Sequence, residues 1–167
     1  MSEGFRFRSH SPEQTRDLAR RLARAIDERG VVVALDGPLG AGKTVFVKGL
    51  AAGLQIDPSS VSSPTFVIAS EYEGRASDGS RRLLVHADLY RVESATELEG
   101  AGFLDWIAPG HVVAMEWAER VREALPRDRL SVTLVAGETP EGREIVVMAQ
   151  GAVAEQALRR WREAAAG

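Results

Sequence analysis

The stretch Val31-Val32-Val33-Ala34-Leu35-Asp36-Gly37-Pro38-Leu39-Gly40-Ala41-Gly42-Lys43-Thr44 decides the fold. Val31 to Leu35 is a continuous apolar run of strand length, which reads as a strand buried on both faces. It runs directly into Gly37 to Thr44, a match to G-x-x-x-x-G-K-T. A helix is expected next, with Phe46, Val47, Leu50 and Leu54 on its inner face and an end near Asp57-Pro58. The residue types fit one task. Glycines let the backbone curl so that successive N–H groups of Gly37, Leu39, Gly40, Ala41, Gly42, Lys43, Thr44 and Val45 can face phosphate oxygens. The following helix N-terminus adds partial positive charge. Lys43 is placed to reach the β- and γ-phosphates, and the Thr44 hydroxyl to ligate Mg²⁺. The motif points to a nucleoside triphosphate and does not specify the reaction.

Such a loop needs a carboxylate near the metal, usually at the end of a neighbouring strand. Two acids have that form. Asp88 ends Leu83-Leu84-Val85-His86-Ala87-Asp88, and Glu116 ends Val112-Val113-Ala114-Met115-Glu116. An acid at a strand end is more often a solvated loop residue; the nearby cradle favours the functional reading of both. Thr65, in Ser62-Ser63-Pro64-Thr65-Phe66, follows the cradle's helix, where a switch threonine would meet the metal and γ-phosphate. The alternative is that Ser-Pro-Thr simply opens a strand. His10, His86 and His111 lack zinc-ligand spacing. His86 shares a strand face with Asp88 and is read either as orienting that acid or as a satisfied structural histidine.

The remaining chain reads as α/β. Phe5 to Ser9 alternates as a short strand. Ser11-Pro12-Glu13-Gln14 starts a helix that Gly30 closes, with Ser11 at its N-cap. Thr65 to Tyr72 and Leu83 to Ala87 read as an antiparallel hairpin around the polar turn Glu73 to Ser80. Glu93 to Trp106 is helical but interrupted by Gly100 and Gly102, and a short helix runs to Leu125. Leu130 to Val135 and Glu144 to Met148 make a second hairpin. The C-terminal stretch puts Val153, Ala157, Leu158 and Trp161 on one helical face. The expected architecture is a single domain over residues 1–167: a P-loop NTPase with a mixed, mostly parallel central sheet, antiparallel hairpins, and helices on both faces.

Composition narrows the class. A formal charge of −3 is too weak for a stand-alone nucleic-acid binder. The absence of cysteine excludes disulfides and thiolate metal sites and suits a cytoplasmic location. The first residues lack the apolar core of a signal peptide, and apolar runs stay far short of the roughly 20 residues that span a bilayer.

Four blocks stand in order: GPLGAGKTVFVKGLAAGL, SSPTFVIASEYEG, HADLYRVESATELEGAGFLDW and AMEWAE. Together they resemble the TsaE family, the small ATPases of bacterial tRNA threonylcarbamoyladenosine synthesis, over about residues 5 to 150. The resemblance implies ATP and Mg²⁺ as ligands. It implies that Lys43 and the loop amides hold phosphates, that Thr44 and Glu116 hold Mg²⁺, that Asp88 supports metal or attacking water, and that Thr65 senses the γ-phosphate. It also implies Trp117 beside the nucleotide, with Ser11, Gly142 and Arg143 bordering the adenine. The implied partners are TsaB and TsaD, whose assembly the ATP cycle would regulate or reset, with tRNA met only indirectly. The chain departs from the family pattern at Pro38, which removes a backbone donor, at Val45, where a second threonine is common, and at Ala118, where proline is common. Two other readings stand beside this one. A small P-loop kinase would carry an Arg-rich lid, for which Arg75, Arg81 and Arg82 are a thin basis. A non-hydrolysing nucleotide-dependent binding module would not need both Asp88 and Glu116.

Overall fold

The computed structural model describes residues 2–64 and 67–166. Its centre is the apolar run, strand β2 (Val31–Asp36). Valine, alanine and leucine in sequence suit a strand with no solvent face, and β2 has parallel neighbours on both sides. These are β5 (His111–Glu116) and β6 (Arg129–Ala136). Beyond β5 lies β4 (Arg81–Asp88), also parallel, and then β3 (Ala69–Arg75), antiparallel to β4. Beyond β6 lie β7 (Arg143–Gln150) and β1 (Ser2–Ser9), each antiparallel to its neighbour. The seven-stranded order is β1-β7-β6-β2-β5-β4-β3, parallel at its centre and closed at each side by antiparallel strands.

Strand alternation divides the central side chains between two cores. Val31, Val33 and Leu35 join Val112, Ala114, Leu130, Val132 and Leu134 on one face. There they pack against α1 (Pro12–Ala25), α2 (Lys43–Gly53) and α5 (Ala152–Ala166). Val32 and Ala34 join Val85, Ala87, Val113 and Met115 on the other face. That face is covered by Leu98 of α3 (Ala95–Gly100), by Phe103 and Trp106 of α4 (Phe103–Trp106), and by Val121 in a 3₁₀ segment, Ala118–Ala124. No helix among the described residues is long and apolar enough to cross a membrane.

Phe46, Val47, Leu50 and Leu54 are the buried stripe of α2. Gly49 and Gly53, also buried, let α1 approach closely. A Cβ on Gly49 would fall 2.3 Å from the Arg16 carbonyl oxygen and 2.6 Å from Ala19 Cβ. The last helix joins the layer together. Trp161 stacks on Phe7 at 4.4 Å between ring centroids, and its indole N–H donates to the Leu18 carbonyl at 2.8 Å.

Several boundaries differ from the sequence expectation. Helix α1 ends at Ala25, because Ile26 turns to extended backbone and Asp27 pairs with Arg29 before Gly30 opens β2. Strand β3 begins at Ala69, after bends at 67 and 68, while Thr65 and Phe66 of the expected strand lie outside the described residues. The stretch 93–106 forms two short helices, separated by Gly102 at φ 99°. Residues 118–124 are 3₁₀, kinked at Val121. Ala154 takes the buried place in α5 expected of Val153.

Candidate functional site

In open α/β sheets ligands bind at the carboxyl ends of parallel strands. Three strands end together here. Leu35 of β2 pairs with Glu116 of β5, and Glu116 pairs with Asp88 of β4. The two predicted acids therefore share one row at the edge where the glycine-rich loop leaves β2.

That loop turns sharply at Gly37, φ 145°, where a Cβ would stand 2.5 Å from the Leu134 carbonyl oxygen. Gly42, at φ 100°, caps α2 without a side-chain hydrogen bond. The first N–H groups of α2 thus have no side-chain cap, which suits an anion at this helix end. Lys43 is buried and curls back, donating from Nζ to the Gly37 carbonyl and, at 3.4 Å, to that of Pro38. The same ammonium lies 3.7 Å from the centroid of the Trp117 ring, a cation–π contact. Trp117 follows β5 with left-handed backbone, φ 59°, which is uncommon for a bulky residue. Its N–H donates to the Leu35 carbonyl at 3.1 Å, and Tyr90 packs on its ring at 5.1 Å.

Thr44 and Glu116 meet directly. The Thr44 hydroxyl donates to Glu116 Oε2 at 3.4 Å and shares a 3.0 Å hydrogen bond with the Ser63 hydroxyl. His86 Nε2 lies 2.5 Å from the same Glu116 oxygen, and both His86 and Glu116 are buried. Asp88 is half-buried and accepts the Tyr90 N–H at 3.0 Å. Leu39, Gly40, Ala41, Gly42, Lys43, Thr44, Val45, Ser63, Asp88, Glu116 and Trp117 line one cleft of about 330 Å³.

The predicted adenine border divides. Gly142 and Arg143 line a small neighbouring pocket with Ser9 and His10. Ser11 is engaged as the α1 cap, accepting the Gln14 N–H at 3.1 Å. Arg143 also braces the loop, donating from Nε to the Ala41 carbonyl at 2.9 Å and from a terminal nitrogen to that of Gly40 at 3.2 Å. Thr65 lies outside the described residues. Pro64, Val67, Ile68, Tyr90 and Arg91 line a second hollow continuous with the cleft through Leu39, Ser63, Asp88 and Trp117.

Two participants, Ser63 and Asp36, have no assigned role in the sequence reading, and a third, His86, meets a partner the sequence does not show. Ser63 shares a hydrogen bond with Thr44. His86, read from the sequence either as orienting Asp88 or as a satisfied structural histidine, bonds Glu116 on the neighbouring strand. Asp36, which the expected strand leaves out, is the last residue of β2. Burial, reinforced by the nearby Glu119 carboxyl, pushes the Asp36 carboxyl up to about 7. Asp36 accepts the Glu119 N–H at 3.2 Å and so ties the 3₁₀ segment to β2.

A family model described as threonylcarbamoyl adenosine biosynthesis protein TsaE matches residues 9–145. The tRNA threonylcarbamoyladenosine biosynthesis protein TsaE of Bacillus subtilis is 40% identical over 147 residues, 88% of this chain and 87% of that protein. The Streptomyces coelicolor protein of the same name is 38% identical over 139 residues, 81% of this chain and 90% of its own length. Among solved structures, the crystal structure of B. subtilis YdiB is similar, with TM-score 0.72 and 33% identity. That likeness covers 98% of this chain and 97% of the other.

Proposed function

The chain belongs to the TsaE family, whose role is in tRNA threonylcarbamoyladenosine biosynthesis, and on that premise we propose that it is an ATPase acting on Mg²⁺-ATP in the cleft at the start of α2. The hydrolysis cycle would regulate or reset a TsaB–TsaD assembly. The observation that carries the reading is the convergence of Lys43, Thr44, Asp88 and Glu116 on one cleft at an open helix N-terminus.

The donor set fits the metal. Thr44, Glu116 and Asp88 offer hard oxygen donors, and no group of three or more His, Cys, Asp or Glu among the described residues forms a closed metal cage. Mg²⁺ prefers such partial sites, completing its shell with water and substrate phosphate. Bound there, Mg²⁺ supplies charge neutralisation to the phosphate oxygens. The chain's own groups do the rest. Loop amides orient the phosphates, and Lys43 exchanges its Gly37 and Pro38 carbonyl contacts for the β- and γ-phosphates. Thr44 and Glu116 hold the cation. Asp88, beside them and open to the cleft, orients the attacking water.

Turnover by the lone protein is slow in this account. Lys43 is the one cationic side chain among the described residues lining the cleft, and fast phosphoryl transfer needs further positive charge and an ordered water. The experiment is phosphate release from [γ-³²P]ATP at fixed protein with TsaB–TsaD titrated in. A slow basal rate that rises with the partners is expected. A fast rate indifferent to them contradicts the coupling, and transfer of label to another acceptor contradicts hydrolysis.

A further inference from the structure

His86 is a fully buried polar side chain near the carboxyl end of β4, and its ring is unevenly satisfied. Nε2 lies 2.5 Å from Glu116 Oε2, whereas Nδ1 is buried with no hydrogen-bond partner among the described residues. That asymmetry fixes the tautomer. A proton on Nδ1 would be a donor with nothing to receive it, so the ring carries its proton on Nε2 and donates to the carboxylate. A space-filling role does not explain this arrangement. A leucine would fill the volume without stranding a ring nitrogen, since buried polar atoms are nearly always paired.

The strand register explains the reach. His86 is opposite Ala114 on β5, one step along the same face from Glu116, which is opposite Asp88. Both side chains face the α2 layer, where Thr44 opens the helix. A carboxylate this deeply buried needs fixed donors to stay in place. Thr44 supplies a long contact of 3.4 Å and His86 the short one, and both fall on Oε2. Oε1 is left for the cleft that Glu116 lines.

We infer that His86 is a positioning residue. Its Nε2–H pins Oε2 of Glu116 so that Oε1 and the Thr44 hydroxyl present a fixed pair of oxygens to a divalent cation. The inference rests on the proposed role of Glu116 as a metal ligand. Partners that hydrogen-bond a metal ligand typically contribute 10–100-fold to metal affinity.

The test is Mn²⁺ binding measured by electron paramagnetic resonance in the presence of ADP, which needs no turnover. The variants are His86→Leu, His86→Asn, His86→Gln and Glu116→Gln. A glutamine amide nitrogen reaches about as far as Nε2, whereas an asparagine amide ends near Nδ1. His86→Leu and His86→Asn are expected to weaken Mn²⁺ about 10-fold or more, while His86→Gln stays within a factor of about 3. ADP affinity in EDTA should be unchanged in all of them. On the Glu116→Gln background, His86→Asn should add no further loss.

Wild-type Mn²⁺ affinity in His86→Asn, with Glu116→Gln weakened, overturns the inference and leaves the reading of the cleft intact. Wild-type affinity in Glu116→Gln removes the cleft reading itself. If His86→Leu does not fold, the glutamine and asparagine variants decide the matter. Equal behaviour of those two, whether both weakened or both normal, overturns the inference.

Discussion

Replacing Gly49 by alanine sets two effects of opposite sign against each other. Alanine in a helix interior is favoured over glycine by about 1 kcal/mol, so propensity alone predicts stabilisation. The structure predicts the reverse. The new methyl would lie 2.3 Å from the Arg16 carbonyl oxygen and 2.6 Å from Ala19 Cβ. The first obstacle is backbone, so no side-chain rotation relieves it, and α1 and α2 must separate. Overpacking of this kind costs about 1–3 kcal/mol and occasionally more. Separation also loosens neighbouring contacts around Leu22, Phe46 and Leu50, so the upper part of that range applies. The net expectation is a loss of about 1–2 kcal/mol, or about 2–8 °C in melting temperature for a chain of this size. Urea unfolding followed by far-UV circular dichroism measures it. Gly100→Ala is the control, because its added methyl meets nothing within 4 Å, and its change should stay within about 0.5 kcal/mol. An unchanged or stabilised Gly49→Ala protein would refute the close approach of the two helices, and with it the placement of the α2 N-terminus.

Other consequences are equally direct. Asp36→Asn should raise the melting temperature above pH 7. The folded carboxyl titrates near 7 against an ordinary value of about 3.9. Its contribution is therefore whole below the ordinary value and lost as pH rises to about 7, so the gap between variant and wild type should close towards pH 4. Lys43→Ala should abolish tight ATP binding, read with a fluorescent ATP analogue. It should also change tryptophan emission in the free protein, since its ammonium sits on the Trp117 ring. Arg143→Ala removes two donors from the loop carbonyls of Ala41 and Gly40. It should weaken ATP-analogue affinity about 10-fold, as expected for lost charged hydrogen bonds, while leaving Mn²⁺ affinity for the ADP complex within about 3-fold.

How legible the molecule was in its sequence depends on the range of the interaction. Short-range signals read well. The run Val31 to Leu35 is apolar because both strand faces are buried, and Ser11-Pro12 is a local capping device that appears as written. Both hairpins follow from alternation and polar turns. Signals that require knowing which strands are neighbours were invisible. Nothing in Phe5 to Ser9 announces pairing with β7, and nothing near His86 announces Glu116, 30 residues on. Arg143 was placed near the nucleotide by family resemblance; its grip on the loop, about a hundred residues away, is a tertiary fact. Nothing in the sequence marks Asp36, because its perturbation comes from burial beside Glu119.

On the proposed function, one cleft gathers phosphate and metal through the glycine loop, Lys43, Thr44 and Glu116. The most direct measurement is anomalous diffraction from crystals grown with a non-hydrolysable ATP analogue and Mn²⁺. The triphosphate is expected in the loop, with an anomalous peak about 2.0–2.3 Å from the Thr44 hydroxyl oxygen and Glu116 bonded to it or to one of its waters. An analogue bound elsewhere, or a metal peak remote from Thr44 and Glu116, would contradict that function.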